Sequence, residues 1–223
     1  TAESAPVLLF IHGGGFLEGD RYHYGFLAEN WTQHGVVVVV MSYRLVTDGF
    51  VYPAQPNDVR AALRWVHGNI AKLGGDPERI FVGGHSVGGL LAATVGGDRT
   101  WMDDYGIPRR HLRGIVPISY AYDVAKTADG PAYASNPEDQ VAASPLYRIA
   151  DPVSAAVVAV GGTETAYVDG SRAYVRALES EGVDVIEIVI EGADHGAALL
   201  ALSDPSSALF RATYELVAGS EPE

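Results

Sequence analysis

Cysteine is absent from the 223 residues of the chain. Its absence excludes disulfide bridges, a thiolate nucleophile, and the zinc or iron–sulfur sites that cysteine would hold. The sequence also lacks the H-E-x-x-H spacing of zinc hydrolases and the ligand spacing of an EF-hand calcium loop. We therefore expect a protein that works without a catalytic metal.

Positive charge is scarce, because 15 lysines and arginines face 28 aspartates and glutamates and leave a formal net charge of −13. Such a surface repels phosphate backbones and anionic lipids, so we expect neither nucleic acid nor a membrane surface as a partner. Long hydrophobic runs are missing too, since apolar runs such as VVVVVM at 36–41 are far too short to span a bilayer. We expect a cytoplasmic protein without membrane insertion, and the sequence leaves homo-oligomer formation open.

What the sequence does contain is a regular alternation of apolar runs with longer amphipathic stretches. The runs are short, mostly continuous and rich in β-branched residues, which is typical of buried parallel strands. We therefore predict the α/β class, with a doubly wound, mostly parallel sheet flanked by helices. The predicted strands are residues 7–11, 36–40, 80–82, 115–118, 155–160 and 185–190.

Three amphipathic or apolar stretches are predicted as helices, over residues 59–73, 90–95 and 171–181, and each ends at a glycine. We expect a single domain over residues 1–223. The stretch 120–152 mixes proline, alanine, aspartate and tyrosine without a steady period. We interpret it as a long excursion over the edge of the sheet or a small lid.

One glycine-rich stretch, GHSVG, places Ser86 between Gly84 and Gly88, directly after a predicted strand and directly before a predicted helix. A serine on such a sharp turn has a strained backbone, and the residues two positions away must lack side chains to avoid a clash. The turn lifts the hydroxyl above the carboxyl edge of the sheet, where ligands bind in open α/β folds. Ser86 is therefore the candidate nucleophile.

A second glycine cluster, FIHGGGF, follows the first predicted strand. Its bare backbone N–H groups can stabilise the oxyanion of an acyl transfer, where each fixed donor lowers the barrier by about 3 to 4 kcal/mol. We predict an oxyanion hole made by the N–H groups of Gly14, Gly15 and Val87. The adjacent Phe16 is predicted to form a wall of the substrate pocket.

HGGGF at 12–16, SYRL at 42–45 and the stretch from DVRAALRW to GHSVGGLLAA at 58–93 carry a family resemblance. The chain resembles the α/β-hydrolase fold in its HGGG-type carboxylesterase branch, over nearly its whole length. It is similar to hormone-sensitive-lipase-like esterases, the bacterial feruloyl-esterase-like group and kynurenine formamidases. Such hydrolases usually have one or two antiparallel strands ahead of the HGGG strand, and only six residues precede Val7. We expect these N-terminal strands to be missing or the sheet to be reduced. The first residues, TAESAP, have neither a basic region nor an initiator methionine, so we expect no signal peptide there and expect the true start of the protein to lie outside this sequence.

A serine hydroxyl needs a base within hydrogen-bond reach, and the base needs a carboxylate that holds its tautomer. His195 follows the last predicted strand, where the hydrolase order of nucleophile, acid and histidine requires the base. His85 adjoins Ser86 and is expected to point away from it.

The acid is expected in the loop after the strand that ends at Val160, because that loop emerges at the same edge of the sheet. Glu164 occupies the place where the family resemblance puts an acidic residue. Asp169 and Asp194 are the alternatives.

These residues favour a serine carboxylesterase that cleaves short- to medium-chain acyl esters through an acyl-enzyme intermediate, without a cofactor. The same triad would also serve an arylformamidase, which the resemblance to kynurenine formamidases suggests. From another class, a non-catalytic ligand-binding protein on the hydrolase fold is the alternative.

Overall fold

A computed structural model of the chain describes residues 4–219, so residues 1–3 and 220–223 of the predicted domain lie outside it. The described residues contain one six-stranded sheet in the order β2-β1-β3-β4-β5-β6, and every neighbouring pair of strands is parallel. All six predicted strands and the α/β class are confirmed. The strands are β1 (Ala5–Ile11), β2 (Val37–Met41), β3 (Gly75–His85), β4 (Leu112–Ile118), β5 (Ala155–Gly161) and β6 (Asp184–Ile190).

Eight α-helices accompany the sheet within residues 4–219, and the three predicted helices correspond to α2, α3 and α6. None of the helices within residues 4–219 has the length and apolar character that crossing a membrane requires. Short 3-10 turns at 21–24, 46–48, 70–73, 100–105, 109–111, 124–126 and 145–147 complete the described structure. The helices are α1 (Gly25–Gln33), α2 (Ala54–Asn69), α3 (Val87–Gly97), α4 (Gly130–Tyr133), α5 (Pro137–Ala142), α6 (Thr165–Ser180), α7 (His195–Ala201) and α8 (Ala208–Ala218).

The sheet has a hydrophobic core on each face. Side chains of β1 alternate between the two cores, with Leu9 and Ile11 on the face covered by α2, α3 and α6, and Leu8 and Phe10 on the face covered by α1, α7 and α8. This alternation follows from the period of two residues in a strand. Because both faces are covered, β1 must be apolar throughout, which explains the continuous run in its sequence.

The order of the strands places two loops together at the carboxyl edge of the sheet. From β1 the chain crosses to β2 on one side, and later returns to form β3 on the other side of β1. The loop that follows β1 and the turn that follows β3 therefore emerge next to each other, at the topological switch point where open α/β sheets bind ligands. These two segments are HGGG and GHSVG.

The predicted excursion, residues 120–152, consists of short helical turns around α4 and α5. Three of its tyrosines, Tyr120, Tyr122 and Tyr133, are fully buried. Tyr133 stacks on Phe16 with 3.8 Å between ring centroids. The excursion is therefore packed onto the body of the protein through an aromatic contact with the loop after β1.

Two glycines of the GHSVG turn are required by close backbone contacts. A Cβ atom at Gly84 would lie 2.2 Å from the carbonyl oxygen of Gly88, and one at Gly88 would lie 2.2 Å from the carbonyl oxygen of Ile11. No side chain fits in either place. The predicted steric cause of these glycines is confirmed.

We expect Gly88→Ala to destabilise the protein by about 3 kcal/mol or more, because the added methyl forces the first turn of α3 away from the end of β1. Chemical denaturation monitored by circular dichroism measures the effect. Gly25→Ala is the matched control, since Gly25 has a helical φ of −58° and a Cβ there meets nothing within 4 Å. Equal stability of the two variants would contradict this account.

Candidate active site

The turn between β3 and α3 holds Ser86 in a strained conformation. Its φ of 59° and ψ of −129° lie in a region that residues other than glycine rarely adopt. The N–H of Ser86 donates to the carbonyl of Ile118 at the end of β4, at 2.8 Å, which ties the turn to the neighbouring strand. The predicted strained turn is confirmed, and the side chain faces the groove described below.

The loop after β1 brings bare amide groups against this turn. A Cβ atom at Gly13 would lie 3.1 Å from the Cβ of Ser86, so the two segments are in close contact. The N–H of Gly13 donates to the hydroxyl of Tyr24 at 3.0 Å. The N–H groups of Gly14 and Gly15 have no hydrogen-bond partner among the described residues.

Val87 is the first residue of α3, so its N–H has no partner within the helix. This amide lies beside Ser86 at the positive end of the helix dipole. The amides of Gly14, Gly15 and Val87 are thus available to an incoming oxygen atom. Their role as an oxyanion hole stays a prediction.

His195 and Glu164 form a hydrogen-bonded pair. Nδ1 of His195 lies 2.5 Å from Oε1 of Glu164, and the glutamate side chain is only 10% exposed. His195 is the first residue of α7, and Glu164 immediately precedes α6, so two loops at the carboxyl edge deliver them. Because a carboxylate only accepts, Nδ1 carries a proton, and in the neutral imidazole this leaves Nε2 without one.

The two alternative acids occupy other places. The carboxylate of Asp194 accepts the N–H of Ala197 and caps α7, while Asp169 is an exposed residue within α6. The contact with Nδ1 of His195 is made by Glu164.

An open groove of about 580 Å³ contains both Ser86 and His195. Within residues 4–219, no hydrogen bond joins the hydroxyl of Ser86 to the imidazole of His195. Hydrogen bonds of this kind are commonly longer in a free site and tighten when substrate is bound. No residue of 120–152 is among those that line this groove, which are Gly13, Gly14, Gly15, Leu17, Glu18, Tyr24, His85, Ser86, His195 and Leu199.

Ser119 is a functional candidate that the sequence reasoning missed. Its hydroxyl donates to Oε2 of Glu164 at 2.7 Å, and the N–H of Gly161 donates to the same oxygen at 3.0 Å. Ser119 is fully buried directly after β4 and has a positive φ of 56°. The only signal in the sequence is a lone polar residue at the end of an apolar strand.

Phe16 does not line the groove, and the prediction that it forms a pocket wall is wrong. Its φ of 64° turns the side chain into the core, where it is fully buried between Tyr133 and Tyr43. The next residue, Leu17, is exposed and borders the groove instead.

His85, which was expected to point away from Ser86, belongs to the lining of the groove. It is 6% exposed, it lines the groove, and its ring lies 4.4 Å from the ring of His195. Burial, together with the neighbouring His195, lowers the pKa of His85 to about 4. The residue is therefore neutral at physiological pH.

The described residues contain no cluster of three acidic or histidine side chains that could hold a metal ion. Only one lining residue of the groove is an acid, Glu18, and none is a lysine or an arginine. Apart from Glu18 and the imidazoles, the residues that line the groove therefore have uncharged side chains.

The depressed pKa of His85 makes the protein less stable in acid. In the unfolded chain the group titrates near 6.5, and in the folded chain near 4, so between these values the unfolded chain binds the extra proton. The part of the free energy of unfolding that depends on neutral His85 is fully present above pH 6.5. It falls by up to about 3 kcal/mol as the pH drops to 4. We expect His85→Gln to remove this part of the acid sensitivity, as measured by urea unfolding at pH 7, 5.5 and 4. Parallel pH dependences in the parent and the variant would contradict the assignment.

A family model described as BD-FAE matches residues 1–106, a little under half of the chain. The carboxylesterase NlhH of Mycobacterium tuberculosis is 42% identical over 94 residues, which make up 42% of this chain and 29% of that protein. The chain spans less than a third of the length of the curated relatives that it matches.

Two solved structures extend the similarity to the whole chain. The acetyl ester-xyloside bifunctional hydrolase from Caldicellulosiruptor lactoaceticus superposes with a TM-score of 0.81 at 22% identity, over 98% of this chain and 85% of that one. A thermostable carboxylesterase cloned from a metagenomic library is 26% identical, with a TM-score of 0.77, over 100% of this chain and 82% of that one. These similarities, together with the parallel sheet and its two glycine-rich loops, identify the chain as an α/β-hydrolase-fold protein that resembles the HGGG-type esterases.

Proposed function

We propose that the chain is a carboxylic ester hydrolase in which Ser86 is the nucleophile, His195 the general base and Glu164 the acid that orients the base. The observation that carries the proposal is the bond between His195 and Glu164 beside a strained serine in one groove. The similarity to carboxylesterases agrees with it.

In the first half of the reaction, the hydroxyl of Ser86 attacks the ester carbonyl and transfers its proton to Nε2 of His195. The proton then passes to the leaving alcohol, and the acyl group stays on the serine. In the second half, water repeats the attack, returns the proton through His195 and releases the acid. Glu164 stabilises the imidazolium in both halves and keeps Nε2 facing the groove.

The negative charge that develops on the carbonyl oxygen is stabilised by the free amides of Gly14, Gly15 and Val87. Donors that are already oriented contribute most, because they need no reorganisation during the reaction. The close contact of Gly13 with Ser86 keeps the two halves of this oxyanion hole together.

The substrate is a small ester with a short or medium acyl chain. Leu17, Tyr24 and Leu199 provide apolar walls, and the groove is open rather than enclosed. One sheet with two cores supports a single catalytic domain, with the 120–152 excursion packed beside it.

A fluorophosphonate probe tests the role of Ser86. We expect the parent protein to be labelled covalently and Ser86→Ala to remain unlabelled, because the probe reacts only with an activated serine. Ser144→Ala is the control, since this serine is fully buried in the 120–152 excursion and bonds the N–H of Val124. Equal labelling of Ser86→Ala and the parent, or no labelling of the parent, would count against the enzyme.

A panel of p-nitrophenyl esters from acetate to octanoate, with a formyl anilide beside them, measures the acyl preference. We expect kcat/KM to be highest for the acetyl and butyryl esters. Faster turnover of the formyl amide would instead make the chain an arylformamidase with the same residues.

The contact of Ser119 with Glu164 predicts a kinetic defect. We expect Ser119→Ala to lower kcat by about tenfold with little change in KM, because a loosely held carboxylate orients the base less well. Ser119→Gly relieves the positive φ and also removes the hydroxyl, so it should show the same loss. Ser180→Ala, at an exposed hydroxyl at the end of α6, is the control. Parent-like kcat in Ser119→Gly would rule out this role.

A further inference from the structure

His85 is a buried imidazole that the proposed reaction does not use. It is the last residue of β3 and stands next to Ser86 in the chain. The turn depends on the surrounding glycines and does not itself require a histidine at this position. Burying a polar ring costs free energy unless the ring forms hydrogen bonds, so the buried ring of His85 requires an interaction that compensates this cost.

The ring makes one hydrogen bond, from Nε2 to the backbone carbonyl oxygen of His195, at 2.8 Å. A carbonyl oxygen only accepts, so Nε2 of His85 carries the proton and donates it. The bond joins the residue beside the nucleophile to the backbone of the base, across 110 positions in the sequence.

The same ring contacts two further parts of the site. Its plane lies against the ring of His195 at a tilt of 47°. A Cβ atom at Gly13 would lie 3.3 Å from Nδ1 of His85, so the imidazole also packs against the loop after β1. His85 thus connects the turn after β3, to which it belongs, with the loop after β1 and with the start of α7.

The backbone of His195 lies at the start of a short helix that follows an exposed segment. It begins α7, a helix of seven residues, and the residues before it from 191 to 194 are mostly exposed. The imidazole of His195 is itself 42% exposed, and Glu164 holds only its Nδ1. The N–H and hydroxyl of Thr163 hold the carbonyl of Ala193, two residues earlier, and the bond from His85 adds a fixed point on the backbone of His195 itself.

We propose that His85 is a positioning residue, which fixes the backbone of His195 through its Nε2–H hydrogen bond and so holds the base over the nucleophile. This inference rests on the proposed ester hydrolysis. It assigns a role to the residue that precedes the nucleophile, although no step of the proposed reaction uses the side chain of that residue.

Three variants test it on p-nitrophenyl butyrate. His85→Phe keeps a planar ring without the donor, and His85→Gln keeps an N–H at nearly the same reach. His34→Phe is the matched control, because His34 also bonds a backbone carbonyl, that of Asn30, on a surface outside the groove. His85→Leu replaces the Phe variant if circular dichroism shows that the latter does not fold.

We expect His85→Phe to lower kcat by about tenfold and to change KM less than about twofold, because base catalysis weakens while substrate binding does not. His85→Gln should retain kcat within about threefold of the parent, and His34→Phe should match the parent. Parent-like kcat in His85→Phe would overturn the proposal. An equal loss in the Phe and Gln variants would also overturn it, since the donor would then be irrelevant.

A proton NMR measurement keeps the inference separate from the proposed function. The Nδ1 proton of His195, shared with Glu164, should give a downfield resonance that disappears in His195→Asn. We expect this resonance to broaden in His85→Phe and to persist in His85→Gln, even if the parent hydrolyses no ester. An unchanged resonance in His85→Phe would overturn the positioning role, whereas absent esterase activity alone would overturn only the proposed function.

Discussion

The structure depends on the close approach of two backbones at the switch point of the sheet. The turn after β3 lies so near the end of β1 that Gly88 has no room for a side chain next to the carbonyl of Ile11. This contact brings the free amides of the loop after β1 to the side of Ser86. A site that uses a hydroxyl and bare N–H groups on one carbonyl group requires that proximity, and the parallel order of the strands supplies it.

The polar network around Glu164 is the second constraint. Its carboxylate receives donors from the ends of three different elements: Ser119 after β4, Gly161 at the end of β5, and His195 at the start of α7. Because these strands are neighbours in the sheet, their spacing sets the position of the carboxylate. The orientation of the imidazole is therefore a property of the sheet as much as of its own loop.

The strands and the main candidates of the site could be predicted from local patterns. Continuous apolar runs indicate buried strands, and Ser86, Glu164 and His195 each follow a strand directly. Other features depend on tertiary contacts that no local pattern contains. The direction of Phe16 accompanies a positive φ, and the contact of His85 with His195 joins residues that are 110 positions apart. The helices α1 and α7 are formed by segments without a clear helical period, whereas the buried residues of α8 recur at helical spacing, so α8 could have been predicted from the sequence.

Both carboxylate oxygens of Glu164 accept hydrogen bonds from N–H or O–H groups. An amide of the same shape could not replace this carboxylate without a conflict, because one of its two polar ends is a donor. If its oxygen faced His195, its NH2 group would meet the N–H of Gly161; if it were turned round, the NH2 group would meet the proton on Nδ1. The ring could relieve the second conflict only by moving that proton to Nε2, and the imidazole would then have no lone pair left for the serine.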